Sequence, residues 1–346
     1  MINVDNELFI REELNGITVY NINHDSYNFY KNIKLSSLIN KNKEEVIKYL
    51  NDNSNLISLD IDFSYPFRLN WLIEKRRNLN CIYCYANDKM DYKIKKLNIN
   101  KTLNAIKNLH VLNIGLTGGE PTLSPYLEEI ITTLTGKCAI VIDTNGVLPV
   151  FEKMIDKIKK ANVLVRMSLD SIDENINKIV RPSKIKNENT FEMINHNIDY
   201  LINNNINLLI HTVVTTYNKD LLDDIGDYLV SKNVKKWHIY SVNYCDKCKD
   251  VHDAIKVDKD ELEKIYKRLK KKYQEIEITL ESKASDYSKC SIGLIDQEGR
   301  FFLDTIYDGI KYVGIDPTNP TPEEYKESLN ISGHIKEYLK LDSGDN

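Results

Sequence analysis

Cys81 and Cys84 lie in the run Arg77-Asn78-Leu79-Asn80-Cys81-Ile82-Tyr83-Cys84-Tyr85, and a second pair at the same spacing, Cys245 and Cys248, comes later in the chain. Two thiolates so spaced are half of a soft-metal site, and all four would suit tetrahedral zinc if their loops converged. They could equally be unliganded thiols on two loops. Arg77 cannot join them as a ligand, because a guanidinium stays protonated and offers no lone pair. A second group of residues suits recognition of a small charged molecule. Gly118 and Gly119 let backbone approach a ligand closely. Glu120 can accept hydrogen bonds from an ammonium group, and an arginine can grip a carboxylate with two bonds. Glu74, Asp143, Asp170 and His211 are candidate proton acceptors, each better suited to a structural or ligand-binding role. Taken singly, a Gly-Gly is a turn and a Ser-x-Asp a helix cap.

The elements that position these residues decide between the readings. Residues 1–62 form a small unit, with β-rich runs at 8–10, 17–20 and 27–30 followed by helical stretches at 34–39 and 43–50. In the second stretch Val46, Ile47 and Leu50 share a face. This is a winged α+β layout. Residues 63–244 alternate strands at 69–73, 111–116, 139–142, 163–169, 208–214 and 237–242 with helices at 97–109, 126–134, 151–160, 190–203 and 220–232. Such alternation predicts βα units around a parallel sheet, and six repeats suit an incomplete barrel better than a closed one. Functional residues then belong on loops at the carboxyl ends of the strands. Residues 245–315 carry a charged helix at 259–274 and a hairpin-like run at 294–303 turning at Gln297-Glu298-Gly299. Residues 316–346 read as a loosely attached polar tail.

With 346 residues the chain has room for two or three compact units. A formal net charge of −4 argues against a large nucleic-acid-binding face. No apolar run approaches the ~20 residues that span a bilayer. The first residues lack the basic and apolar regions of a secretion signal, and six cysteines are too sparse for a disulfide scaffold. The expectation is a cytoplasmic protein with reduced thiols and neither nucleic-acid nor membrane partners.

Over roughly residues 65–242 the sequence resembles the radical S-adenosylmethionine (SAM) superfamily. That family's signature is C-x3-C-x2-C, of which Cys81 and Cys84 are the second and third cysteines and Arg77 stands at the first. Thr117-Gly118-Gly119-Glu120-Pro121 is similar to the family's GGEP segment, which receives the SAM amino group. Asp143-Thr144-Asn145-Gly146 ends the third strand. Ser168-Leu169-Asp170-Ser171 is similar to the segment that contacts ribose and carboxylate. Arg181 and Val213-Val214-Thr215-Thr216-Tyr217-Asn218 match the later core. The resemblance implies an α/β fold, a partial (β/α)6 barrel. It also implies a SAM site drawn from Arg77, Tyr83, Gly118, Gly119, Glu120, Thr144, Asn145, Ser168, Asp170, Arg181 and Val214, with the Tyr83 ring a flat face for adenine.

The family's [4Fe-4S] cluster needs three thiolates, so it is expected to be absent here, with Cys81 and Cys84 as remnants. Cys138 precedes the third strand and lies nearly 20 Å away at ~3.3 Å per residue. Cys245 and Cys248 lie at the correct end, but across the half-barrel. Arg77, with Arg76 and Lys75 beside it, is expected to fill the vacated cluster volume and meet the SAM carboxylate. The alternative is an Arg77 that points to solvent.

Two further resemblances bear on the substrate. Cys290-Ser291-Ile292-Gly293, with Asp304 where a cysteine is expected, resembles a shortened auxiliary-cluster (SPASM or twitch) domain of peptide-modifying radical SAM enzymes. Residues 6–21 resemble the opening of a RiPP recognition element, which holds the leader of a ribosomally made precursor by β-augmentation. The alternative for that unit is a structural β-cap on the barrel. Together these imply modification of a ribosomal peptide by polar chemistry at the sulfonium: methyl transfer, aminocarboxypropyl transfer or cyclisation. The precursor peptide and a second maturation protein are the expected partners. Two alternatives stand beside it: an inactive pseudoenzyme that binds and presents the peptide, and a conventional radical enzyme with a substitute cluster ligand.

Overall fold

The short runs near the amino terminus pair as a meander: β1 (Ile2–Val4), β2 (Leu8–Glu13), β3 (Gly16–Asn21) and β4 (Ser26–Lys31) form an antiparallel sheet in sequence order. That is one strand more than the sequence predicts, because β1 is too short to show a period. The structure, a computed structural model, describes residues 1–63, 65–84, 99–184, 189–244, 248–281, 293–305, 309–329 and 331–339. Helix α1 (Lys43–Asp52) starts at a capping box in which the Asn42 side chain and Glu45 exchange hydrogen bonds with each other's backbone N–H. The sheet is apolar on both faces. Ile10, Ile17 and Val19 cluster with Val46 and Leu50 of α1, while Phe9, Tyr20, Tyr27 and Phe29 join the core of the remainder of the molecule.

The barrel follows the predicted alternation. Its elements are β5 (Arg68–Glu74), α2 (Ile99–Asn108), β6 (Asn113–Gly118), α3 (Leu127–Leu134), β7 (Ala139–Thr144), α4 (Phe151–Ala161), β8 (Leu164–Ser168), α5 (Glu174–Val180), α6 (Thr190–Asn203), β9 (Leu208–Val213), α7 (Leu222–Ser231) and β10 (Lys236–Tyr240). After α8 (His252–Ile255) and the charged α9 (Lys259–Lys272), β11 (Glu277–Glu281) adds a seventh parallel strand in register with β10. Six repeats therefore become seven strands. Ile276, Ile278 and Leu280 alternate with polar residues there, a strand period too short to stand out beside the charged α9.

The hairpin β12 (Gly293–Ile295) and β13 (Phe301–Thr305) turns where predicted, with the Asp296 carboxylate accepting from the N–H groups of Glu298 and Arg300. β12 runs parallel to β5, and β14 (Gly309–Tyr312) closes the order β11-β10-β9-β8-β7-β6-β5-β12-β13-β14. The region after the barrel thus extends the barrel's own sheet.

The final segment departs from the expected loose tail. α10 (Pro322–Ser328) and α11 (Ile331–Tyr338) bury Tyr325 and His334 completely. His334 stacks on Phe67 at 4.9 Å and accepts its N–H at 3.2 Å, and Leu339 bridges to Tyr27. Tyr325 is isolated among polar residues, while Ile331, Ile335, Tyr338 and Leu339 recur at helical spacing over too short a run to stand out.

The N-terminal unit caps the amino-terminal mouth of the barrel. Arg11 donates to the carbonyls of Tyr65, Pro66 and His110, ahead of β5 and β6. Asn3 reaches the Gly136 carbonyl ahead of β7. Asn162 and Asn207, ahead of β8 and β9, donate to the carbonyls of Asn6 and Ile22. Every one of these junctions precedes a strand, so the opposite rim is left for the predicted loops. No described helix is long and apolar enough to cross a membrane.

Candidate functional site

At the carboxyl rim the predicted loops meet and lock one another. Gly118 takes φ +140°, and a Cβ there would sit 2.1 Å from the Glu74 carbonyl oxygen; at Gly119 it would sit 2.3 Å from that of Arg76. The N–H groups of Gly119 and Glu120 donate to those same carbonyls at 2.7 and 2.9 Å. What the missing side chains make room for here is the start of the cysteine loop, pressed against the end of β6.

Glu120, 1% exposed, is the knot of this rim. It accepts from Thr122 N–H and hydroxyl, from the Thr144 hydroxyl at 2.7 Å and from Asn145 N–H at 2.8 Å. Burial raises its pKa, and these bonds only partly offset that. Asn145 donates in turn to the Asn78 side chain at 2.7 Å. The buried Asn78 amide nitrogen has no partner among the described residues. Sequence reasoning passed over Asn78, whose signal was its place inside the cysteine motif.

A second knot joins the cysteine loop to β8 and β9. The Tyr83 hydroxyl donates to Asp170, which also accepts from Val213 N–H at 2.9 Å. Tyr83 thus reaches the site, with its polar end held by a carboxylate. Burial first, then Asp170, pushes the Tyr83 pKa well up. Arg181, 2% exposed, donates to the carbonyls of Ser168 and Asn145 at 2.7 and 2.9 Å and faces both Asp170 and Cys81. Its donors serve these loops. Val214 N–H donates to Tyr240, so Val214 holds backbone rather than presenting a side chain.

The half-buried Arg77 directs Nη1 to Cys84 Sγ at 3.7 Å. Arg76 does not share that volume, contrary to the expectation. It is tied to Glu74 and donates to the Leu123 carbonyl, which also removes Glu74 from the candidate bases. Cys138 is buried at the far end of β7, its thiol pushed up to about 12 by burial. Cys248 is buried and donates to the Asn243 carbonyl, while Cys245 and Cys290 lie outside the described residues. Asp304 falls on β13 opposite Ile310. Among the described residues no three metal-binding side chains gather. One guanidinium and two thiols are not the donor set of a [4Fe-4S] cluster, which needs a third thiolate.

Below the rim, the interior of the barrel carries charge that sequence reasoning largely missed. Asp25, from the turn before β4, pairs with Arg166 of β8 and accepts from the Tyr20 hydroxyl. Asp143 of β7 stands 3.6 Å from both Arg166 and Arg68 of β5. Burial raises the Asp25 pKa, but Arg166, Arg68 and Tyr20 outweigh it, and the carboxyl ends below its ordinary value. On the same face His211 of β9 stacks with His238 of β10, ring centroids 5.5 Å apart, and meets Tyr240. A signal existed: Arg166, His211 and His238 are polar residues flanked on both sides by fully buried ones.

A parallel half-barrel with interlocked loops at its carboxyl rim is a mixed α/β fold of the radical SAM type. Residues 78–229 match the Radical SAM superfamily. An uncharacterized protein of Methanocaldococcus jannaschii is 34% identical over 180 residues, 47% of this chain and 58% of that relative's length. The GTP 3',8-cyclase of Helicobacter pylori is 28% identical over 173 residues, 47% of this chain and 52% of its own length. The chain therefore spans little more than half of these relatives. Among solved structures, Streptococcus suis SuiB bound to S-adenosylmethionine superposes with a TM-score of 0.64 at 13% identity, covering 90% of this chain and 85% of SuiB. SuiB bound to precursor peptide SuiA gives 0.60 at 13%, covering 87% and 82%.

Proposed function

We propose that this protein binds SAM at the rim and modifies a ribosomally made peptide by polar displacement at the sulfonium. The observation that carries the reading is Arg77, whose guanidinium lies on the Cys84 thiol where a third thiolate would be needed. Reductive cleavage of SAM needs an electron from a cluster, and this donor set does not hold one. The sulfonium itself is an electrophile, so orientation and exclusion of water suffice for transfer of a methyl or aminocarboxypropyl group, or for cyclisation.

For SAM the residues do fit. The unpartnered Asn78 amide offers a donor, Glu120 Oε2 keeps accepting capacity beyond its one bond, and Arg77 supplies a cation for the carboxylate. A peptide partner is supported by the fold likeness to SuiB, solved with its precursor. It is also supported by a groove of about 350 Å³ between the edge strand β1 and the start of α1, lined by Ile2, Val4, Leu38, Ile39 and Lys43. An extended leader would add a strand to β1 there. The domain division follows: residues 1–62 as leader holder and floor, 63–244 as barrel, 245–315 as a shortened auxiliary-type extension.

The test is incubation of the full-length protein with SAM and any short peptides found encoded beside its gene. S-Adenosylhomocysteine or methylthioadenosine supports polar transfer, whereas 5′-deoxyadenosine, or about four irons per chain after anaerobic reconstitution, overturns it. A second reading, a pseudoenzyme that presents the peptide, is favoured by how fully Arg181 and Asp170 are spent on the protein itself. Tight peptide binding without any SAM product would select it.

A further inference from the structure

Polar transfer from a sulfonium to an N–H, O–H or S–H nucleophile releases a proton, and the barrel interior must receive it. Among the described residues, the carboxylates near the rim are already committed. Glu74 is held by Arg76, Asp170 by Tyr83 and Val213 N–H, and Glu120 by four donors. Asp143 is held between Arg68 and Arg166. His211 differs from all of these. It stands in register with Ser168, and its ring is half-buried on the interior face. Its Nε2 faces the Tyr240 hydroxyl at 3.4 Å, and Nδ1 has no hydrogen-bond partner among the described residues. With Nε2–H directed at the Tyr240 oxygen, Nδ1 keeps its lone pair.

We propose that His211 is the proton acceptor of the reaction chamber, a role that rests on the polar-transfer reading above. The nucleophile forms its bond to the carbon next to sulfur, the C–S bond breaks, and its electron pair stays on a neutral thioether. The proton passes to His211 Nδ1. One positive charge leaves the sulfonium as one appears on the imidazole, so the low-dielectric chamber never gains net charge. The groups facing His211 are Arg166 on β8, Arg68 on β5, His238 and Tyr240 on β10, with Asp143 and Asp25 behind the arginines. Burial first, then the Arg166 cation, pushes the imidazole pKa well below its ordinary value, so the ring is neutral and keeps its lone pair, and it takes the proton only as the sulfonium charge disappears.

The full-length protein, SAM and any peptides found encoded beside its gene test this. His211→Gln keeps SAM affinity by calorimetry and lowers product formation about 100-fold. Asp25→Asn, which leaves Arg166 less compensated, moves the acid limb of the pH–rate profile to lower pH. Product at the wild-type rate from His211→Gln overturns the role while leaving polar transfer intact; no SAM product from the wild type overturns both. Should His211→Gln fail to fold, histidine-ring NMR titration of the wild type decides, and a His211 ring that titrates like a free imidazole overturns the proposal.

Discussion

The rim and the floor of this barrel are both buried polar networks, built on opposite principles. At the rim most bonds run from side chain to backbone between loops. Glu120 gathers Thr122, Thr144 and Asn145, and Arg181 spends its donors on the carbonyls of Ser168 and Asn145. At the floor, charge meets charge across two units of the chain, from Asp25 through Arg166 and Asp143 to Arg68. At the rim, bonds from side chains to loop backbone fix where the loops stand; at the floor, a chain of ions fixes which units belong together, and fails if one member is removed.

The sharpest break of that contrast is Asp25→Ala. It leaves Arg166 buried with Asp143 only at 3.6 Å, and removal of one partner from a buried pair costs about 3–5 kcal/mol. Urea unfolding measures the loss. Hydrogen exchange should place it first in β3 and β4, which carry the turn that delivers Asp25. Asp25→Ala combined with Arg166→Met should recover most of the stability, since the orphaned charge is gone. A single variant as stable as the wild type would mean that the floor is not held by ions.

Glu120→Ala asks the same of the rim, with a smaller expected cost of about 2–3 kcal/mol. It strands the Thr144 hydroxyl and two backbone N–H groups. Because those bonds are local, the N-terminal unit should keep its protection from exchange. SAM affinity should fall with the displaced loop at Thr144 and Asn145. Loss of protection in β1–β4 would show that rim and floor are one network.

The two networks were unequally legible in the sequence. Rim residues fall in short motifs, each following its own strand, so Gly118, Glu120, Asn145, Asp170 and Arg181 could be placed at one end of a parallel sheet before any contact was known. Their partners could not. Nothing in the sequence says that Gly118 makes room for the Glu74 carbonyl, or that Tyr83 ends on Asp170. The floor was nearly invisible, because Asp25 and Arg166 lie far apart in the chain and only folding joins them. Strand β11 and the anchored tail were passed over although each carries a short period: Ile276, Ile278 and Leu280 alternate, and Ile331, Ile335, Tyr338 and Leu339 recur at helical spacing.

His211 provides a finer test, by pH. Its folded pKa is depressed below the unfolded value of about 6.5, so the unfolded chain takes up a proton the folded one refuses. Stability is unaffected above that value and falls as pH drops below it, by at most about 1.4 kcal/mol per pH unit. His211→Gln should flatten that part of the stability–pH curve relative to the wild type. An unchanged slope would mean that the imidazole is protonated in the folded state, and the floor would then carry more positive charge than its carboxylates match.

The smallest effect separates two adjacent arginines. Arg76 is exposed but its partner Glu74 is buried; Glu74 keeps the backbone N–H of Arg76 as a donor, so loss of the side chain costs about 1 kcal/mol. Arg76→Ala should therefore change neither stability by more than that nor SAM affinity. Arg77→Ala should weaken SAM binding by removing the cation beside Cys84. Calorimetry on both variants measures the difference. Equal affinities would place Arg77 with Arg76 as a surface residue, and the rim would have to hold the SAM carboxylate with backbone N–H groups and the Asn78 amide alone.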